Sequence, residues 1–151
     1  MTKRGCTIVA LAPFVIIALI VVLYMIIAAT NDFSAARVEK DILSLPLPEN
    51  TTVVESLNEC GKLVGEGNGM QFFGAALLRS DLSLEELEAY YAPFRPDEWH
   101  YIVEPQEGKE IEAVEHPVIR FKTNVDSDGY YILYSWGDSH NPLRYLDLRG
   151  N

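Results

Sequence analysis

Residues 7–29 form 23 consecutive uncharged positions, almost all Ile, Val, Leu, Ala, Phe or Met, and nothing else in the chain restricts its fold as strongly. A helix of that length rises ~34 Å, enough to cross a hydrocarbon core of roughly 30 Å with some tilt. The expectation is a membrane span.

The flanks of the run set its direction. Lys3, Arg4 and the amino terminus precede it, and the first charge after it is Asp32, followed by Arg37 and Lys40. Positive charge beside a first span tends to stay cytoplasmic. Residues 1–6 are therefore expected in the cytoplasm, 7–29 as a transmembrane helix, 30–50 as a stalk or linker, and 51–151 as an extracytoplasmic domain at the cell membrane. A cleaved signal peptide shares this plan, with small residues at Ala28, Ala29, Ala35 and Ala36, and its removal would leave the domain secreted. The run exceeds the roughly 7–15 apolar residues of a signal core, which favours a retained, single-pass signal-anchor. Cys6 lies before the run rather than after it, which disfavours a lipoprotein anchor. The run holds no ionisable side chain of the kind that marks a proton relay or ion path, and no pair of small residues four apart for close helix dimerisation. Pro13 falls in the first turns, where a missing donor is tolerated.

About 120 residues follow the span, enough for one domain with its own core. Of 12 basic residues, Lys3 and Arg4 precede the span; the 10 that follow face 22 acidic ones, a net charge of −12. A field of that sign repels nucleic acid and anionic headgroups and mildly favours cations or basic partners. Its plainest consequence is solubility.

The order of elements indicates an α+β domain. Residues 30–45 place Phe33, Ala36, Val38, Ile42 and Leu43 at loosely helical spacing before Leu45-Pro46-Leu47-Pro48 halts the helix. Residues 51–64 and 70–80 read as strands joined across Gly65-Glu66-Gly67-Asn68-Gly69, with Asn68-Gly69 able to supply a positive φ. In the second strand Phe72, Ala76 and Leu78 share one face and Phe73, Ala75 and Leu77 the other, the pattern of a strand covered on both sides. Leu82-Ser83-Leu84-Glu85-Glu86-Leu87 carries a capping box and a hydrophobic staple, so a helix starts there and turns Leu84, Leu87, Tyr91 and Phe94 to the sheet before Pro93 and Pro96 end it. Further strands are expected at 98–103, 118–124 and 130–136, with an edge piece at 144–148. The whole is an antiparallel sheet of about five strands with one packed helix, in the order ββαβββ. At fold level this is similar to small sheet-and-helix modules attached to bacterial envelope proteins, a likeness that carries no function.

Candidate sites are few. Strand alternation places Tyr130, Ile132, Tyr134 and Trp136 on one side, and Trp99 with Tyr101 can extend that surface from a neighbouring strand. Open, such a face would stack on sugar rings or grip a peptide; covered, it is core. Asn124, Asp126, Asp128 and Gly129 match the opening of an EF-hand calcium loop, but its twelfth position is Ser135 instead of glutamate, and a hairpin turn accounts for the same residues. The glycines at 65–69 lack both the P-loop ending and the dinucleotide fingerprint, and no cofactor is expected. The glutamates of 104–115 read as a solvated acidic loop, and Glu85 and Glu86 as first-turn carboxylates favoured by the helix dipole. Cys60 is a buried small hydrophobe, an intermolecular disulfide half, or a nucleophile needing His100, His116 or His140 as base. Asn50-Thr51-Thr52 has the form of an N-glycosylation acceptor.

The reading is a membrane-anchored, non-catalytic interaction or sensing domain facing out of the cytoplasm, partnered by the membrane and by an envelope protein or glycan. The first alternative is a cell-wall or carbohydrate binder using Trp99, Tyr101, Tyr134 and Trp136. The second is an envelope enzyme with Cys60 as nucleophile.

Overall fold

One helix, α1 (Lys3–Leu43), carries the chain from its amino terminus into the folded domain without interruption. The structure, a computed structural model, describes residues 3–65, 67, 69–94, 100–137 and 141–150. At 41 residues α1 is ~60 Å long, and its apolar part is long and apolar enough to cross a membrane. Leu11, Phe14, Ile17, Ile20, Leu23 and Ile26 are all exposed. From Ile27 onward the helix changes character: Ile27, Asn31, Ala35, Val38 and Ile42 are buried, a 3.6-residue stripe facing the sheet. The segment expected as a stalk is thus helical and also core. Lys40 and Ile42 carbonyls accept the amides of Ser44 and Leu45, and the two prolines that follow prevent continuation.

The domain is α+β, with an antiparallel sheet built from β1 (Thr51–Gly61), β2 (Gln71–Ser80), β3 (Ile102–Pro105) and β4 (Tyr130–Gly137) in the order β1-β2-β4-β3. Among the described residues the sheet has four strands, not five. The expected strand at 118–124 makes a single bridge, Glu110 to Arg120, and otherwise lies flat across one face of the sheet. Its alternation is real, but Ile119, Phe121 and Val125 pack into the sheet's side chains; among the described residues its backbone bonds briefly to 109–111, where the Ile111 amide donates to the Ile119 carbonyl at 3.0 Å and the Phe121 amide to the Lys109 carbonyl at 2.9 Å, and not to a strand of the sheet. The expected edge piece at 144–148 is replaced by short 3-10 turns at Pro142–Tyr145 and Leu148–Gly150, the first begun by Pro142 with Asn141 capping Leu143. The β3 strand begins at Ile102; its expected start near Glu98, like Pro96 and Asn68, lies outside the described residues.

Central β2 is covered on both sides, as its two apolar faces require. One layer packs Phe72, Ala76 and Leu78 against Ala35, Val38 and Ile42 of α1 and against Leu87 and Tyr91 of α2 (Leu84–Tyr91). Ser83 and Glu86 form the expected capping box, whereas Phe94 sits beyond the helix, exposed and against Tyr90. Two glycines let α1 approach so closely: a Cβ on Gly74 would lie 2.5 Å from the Glu39 amide nitrogen, and one on Gly137 would strike Val38. Glu39 then accepts hydrogen bonds from Ser56 and Asn58 on the edge strand, fixing the helix laterally.

The second layer has no helix. Residues 106–125 supply Ile111, Val114, Ile119, Phe121 and Val125 against Phe73, Ala75, Leu77, Ile132 and Tyr134. Such a cover has few ladder bonds, so side chains hold its backbone. Glu55 of β1 accepts the amides of Lys122 at 2.9 and 3.0 Å and of Thr123 at 2.9 Å, and Gln106 donates to the Glu110 carbonyl at 2.8 Å. Burial raises the Glu55 pKa, but those amide bonds outweigh it and hold the carboxyl below its ordinary value.

Candidate functional site

The aromatic candidates divide between the two faces. Tyr134 and Trp136 flank Phe73, with ring centroids 5.6 and 4.9 Å away, beneath the 106–125 cover. Tyr134 is buried, and burial together with the adjacent Glu104 carboxylate pushes its phenol up to about 12. Tyr101 packs with the opposite layer, where burial and Asp41 of α1 raise its pKa. The alternation explains the split: Ile102 pairs with Tyr134 and shares its face, so Tyr101 faces away. Trp99 lies outside the described residues. The described aromatics therefore make no single platform.

Cys60 stands half-buried on the α1 side of β1. Burial pushes its thiol up to about 12, while Arg149 favours the thiolate and Asp32, Asp147 and Glu59 oppose it. A thiol in that state is a poor nucleophile at neutral pH. His100 is exposed, with its carbonyl accepting from Ser135; His116 is exposed 3.9 Å from Glu115; His140 lies outside the described residues.

Asn124 donates to Asp126 at 3.2 Å, and the Asp128 carbonyl accepts from Arg79. All three residues of the calcium candidate are exposed, and the described residues hold no group of three or more His, Cys, Asp or Glu that could bind a metal. At the glycine turn the Gly65 amide and the amides flanking the turn have partners. Leu63 and Val64 donate to the Gln71 side chain at 2.7 and 2.8 Å, Gly65 to Glu115 at 2.9 Å, and Met70 to the Arg144 carbonyl at 2.9 Å. Asn50, the glycosylation candidate, is exposed with φ 57° just before β1.

A recess of about 330 Å³ opens where the cover meets β3 and β4. Glu104, Glu107, Glu110 and Glu112 line it, with Ile111 and Ile132 on the apolar side; Arg120 pairs with Glu110 at 3.1 Å. Ile111 and Val114 anchor the loop by their burial, and Glu110 and Glu112 on either side of Ile111 are exposed.

A second polar centre was not foreseen from the sequence. Asn31 and Asp147 are fully buried, and Asn31 donates to Asp147 at 3.0 Å while accepting from Asn141 at 3.0 Å. Arg149 closes the group. Its guanidinium donates to Asp147 at 2.8 Å, pairs with Asp32 at 2.9 Å and reaches the Ala28 carbonyl at 3.2 Å. Hydrogen bonds from Arg149 outweigh burial and hold the Asp147 carboxyl down at about 2; in return Arg149 is raised. This clamp ties the last turns of the chain to α1 where the exposed apolar run ends. An Asn-Asp pair following an apolar run was its only trace in the sequence, and its partners lie more than 100 positions away. Its chemistry is structural: buried carboxylate, amides and guanidinium satisfy one another. Comparison with protein families, curated proteins and solved structures finds no match.

Proposed function

We propose that this chain is a single-pass membrane protein whose small acidic domain sits outside the cytoplasm and serves as a non-catalytic interaction or sensing module. The supporting observation is that α1 belongs to the membrane run and to the domain core at once. Removing a signal sequence at Ala35-Ala36 would delete part of that core, and cutting at Ala28-Ala29 would divide the helix beside the Arg149 contact. Retention of α1 as anchor is consistent with both. The positive charge of Lys3 and Arg4 favours the cytoplasmic side for the amino terminus.

The partner this reading favours carries positive charge. The residues after the span have a net charge of −12, and the recess where the cover meets β3 and β4 presents four glutamates. A glycan platform has less support because Tyr134 is buried and Tyr101 faces the other way. A Cys60 enzyme has less support because burial disfavours the thiolate.

Proteolysis of intact cells or spheroplasts carrying a carboxyl-terminally tagged chain tests the proposal. Loss of the tag, with an uncleaved amino-terminal fragment kept in the membrane, is the expected result. A protected tag would put the domain in the cytoplasm, and a soluble product starting near residue 29 would replace anchoring by secretion; either overturns the reading.

A further inference from the structure

We propose that the carboxyl-terminal turns, residues 142–149, form a membrane-contact surface that seats the domain on the lipid leaflet from which α1 emerges. The inference rests on α1 being a membrane anchor and adds an orientation to it. Position is the first argument. Arg149 contacts the Ala28 carbonyl and Asp32, and Asp147 contacts Asn31, so these turns lie beside the level of α1 at which Ile26 is exposed and Ile27 buried. Residues 7–26 rise ~30 Å as a helix, the thickness of a hydrocarbon core, which puts the same level at the headgroups.

Composition is the second argument. Tyr145, Leu146 and Leu148 are 55, 58 and 71% exposed, and Phe33, one turn further along α1, is 72% exposed. Apolar side chains gathered there in water would be unfavourable; at a bilayer interface they gain burial. Arg144 lies over the Tyr145 ring at 4.7 Å, a basic and aromatic pair suited to the headgroup zone.

Charge is the third. The domain as a whole is acidic, yet within 142–149 the basic residues are Arg144 and Arg149, and the one acid, Asp147, is fully buried against Arg149. Within these turns no exposed carboxylate faces the headgroup phosphates, and the exposed one beside them, Asp32 of α1, is paired with Arg149 at 2.9 Å. The clamp gives the patch a fixed height, because it binds these turns to the helix itself.

The test uses the full chain in phosphatidylcholine vesicles, with Cys6→Ser and Cys60→Ser and one nitroxide label at a time on Leu146→Cys, Leu148→Cys, Val118→Cys or Ile17→Cys. Both leucines are exposed, so each label leaves the clamp intact and the two give independent readings. Accessibility to oxygen relative to a water-soluble nickel chelate reports depth. Ratios at Leu146 and Leu148 several-fold above that at Val118, an exposed site on the cover, are expected. Water-like ratios at both leucines with a lipid-buried Ile17 would overturn the seating while leaving the anchor standing. A water-exposed Ile17 would instead remove the anchor. Spin-spin broadening at Leu148 would assign the patch to a second copy of the chain and overturn the lipid contact.

Discussion

The Asn31 side-chain amide donates to the Asp147 carboxylate at 3.0 Å across 116 positions of sequence, with both residues fully buried. This contact joins residues 147–149 to the helix that carries the apolar run, and the hydrogen bonds Asp147 accepts, from Arg149 first and then from Asn31, make it a contributor to stability in acid. The Asp147 carboxyl is held at about 2 in place of its ordinary 3.8, so its contribution is complete above pH ~4 and is lost as pH falls through 2. The difference corresponds to about 2 kcal/mol at neutral pH. Asp147→Asn should lower the stability of the full chain in detergent by roughly that amount at pH 7 and flatten its decline between pH 4 and 2. Urea denaturation at a series of pH values measures both, and an equally steep acid decline in the variant would count against the assignment.

The approach of α1 to the sheet depends on Gly74. A Cβ there would lie 2.5 Å from the Glu39 amide nitrogen and 2.8 Å from the Val38 carbonyl carbon, and backbone cannot move aside as a side chain can. Gly74→Ala is expected to cost about 1–3 kcal/mol through overpacking. Gly67→Ala, where nothing lies within 4 Å, is expected to be close to neutral. A comparison of denaturation midpoints decides; equal midpoints would mean the helix is not seated as described.

Glu55 holds the cover over the Tyr134 face through the amides of Lys122 and Thr123. Glu55→Ala should lose roughly 1–3 kcal/mol, in the range for charge-assisted hydrogen bonds. Hydrogen exchange gives the local test: protection at Lys122 and Thr123 should fall, while that of the β2 amides changes only by the global loss. Unchanged protection at both amides would show that the apolar anchors alone hold the segment.

Cys60 should be slow to alkylate at pH 7, since burial pushes its thiol up to about 12. Iodoacetamide treatment followed by mass spectrometry, with and without denaturant, tests this. Rapid folded-state labelling of Cys60 would reopen a nucleophilic role.

Much of the fold was legible because local physics decided it. Ser83 and Glu86 define a helix start within four residues, and the capping box depends on nothing distant. The two apolar faces of 71–78 required cover on both sides, since neither Phe72 nor Phe73 can be left in water. The segment 118–124 misled because period-two alternation reports that every second side chain is buried. It does not report whether the backbone pairs with another strand, and here Glu55 supplies part of that bonding. The site candidates suffered from the same gap. Composition and alternation allow Tyr101 and Tyr134 to share a surface, and register alone separates them, because one residue of offset changes the face.

By itself the sequence determined the apolar run, its charged flanks, the acidic balance and the elements whose signals span a few residues, because periodicity, capping and desolvation act over a turn or a strand. Only the tertiary structure decided that the expected stalk is core, that a loop and not a helix covers the second face, and that Asn31, Asn141, Asp147 and Arg149 meet. Those outcomes depend on which surfaces come together across the chain. Gly74 and Gly137 permit one such approach, and a buried carboxylate that must find its donors fixes another.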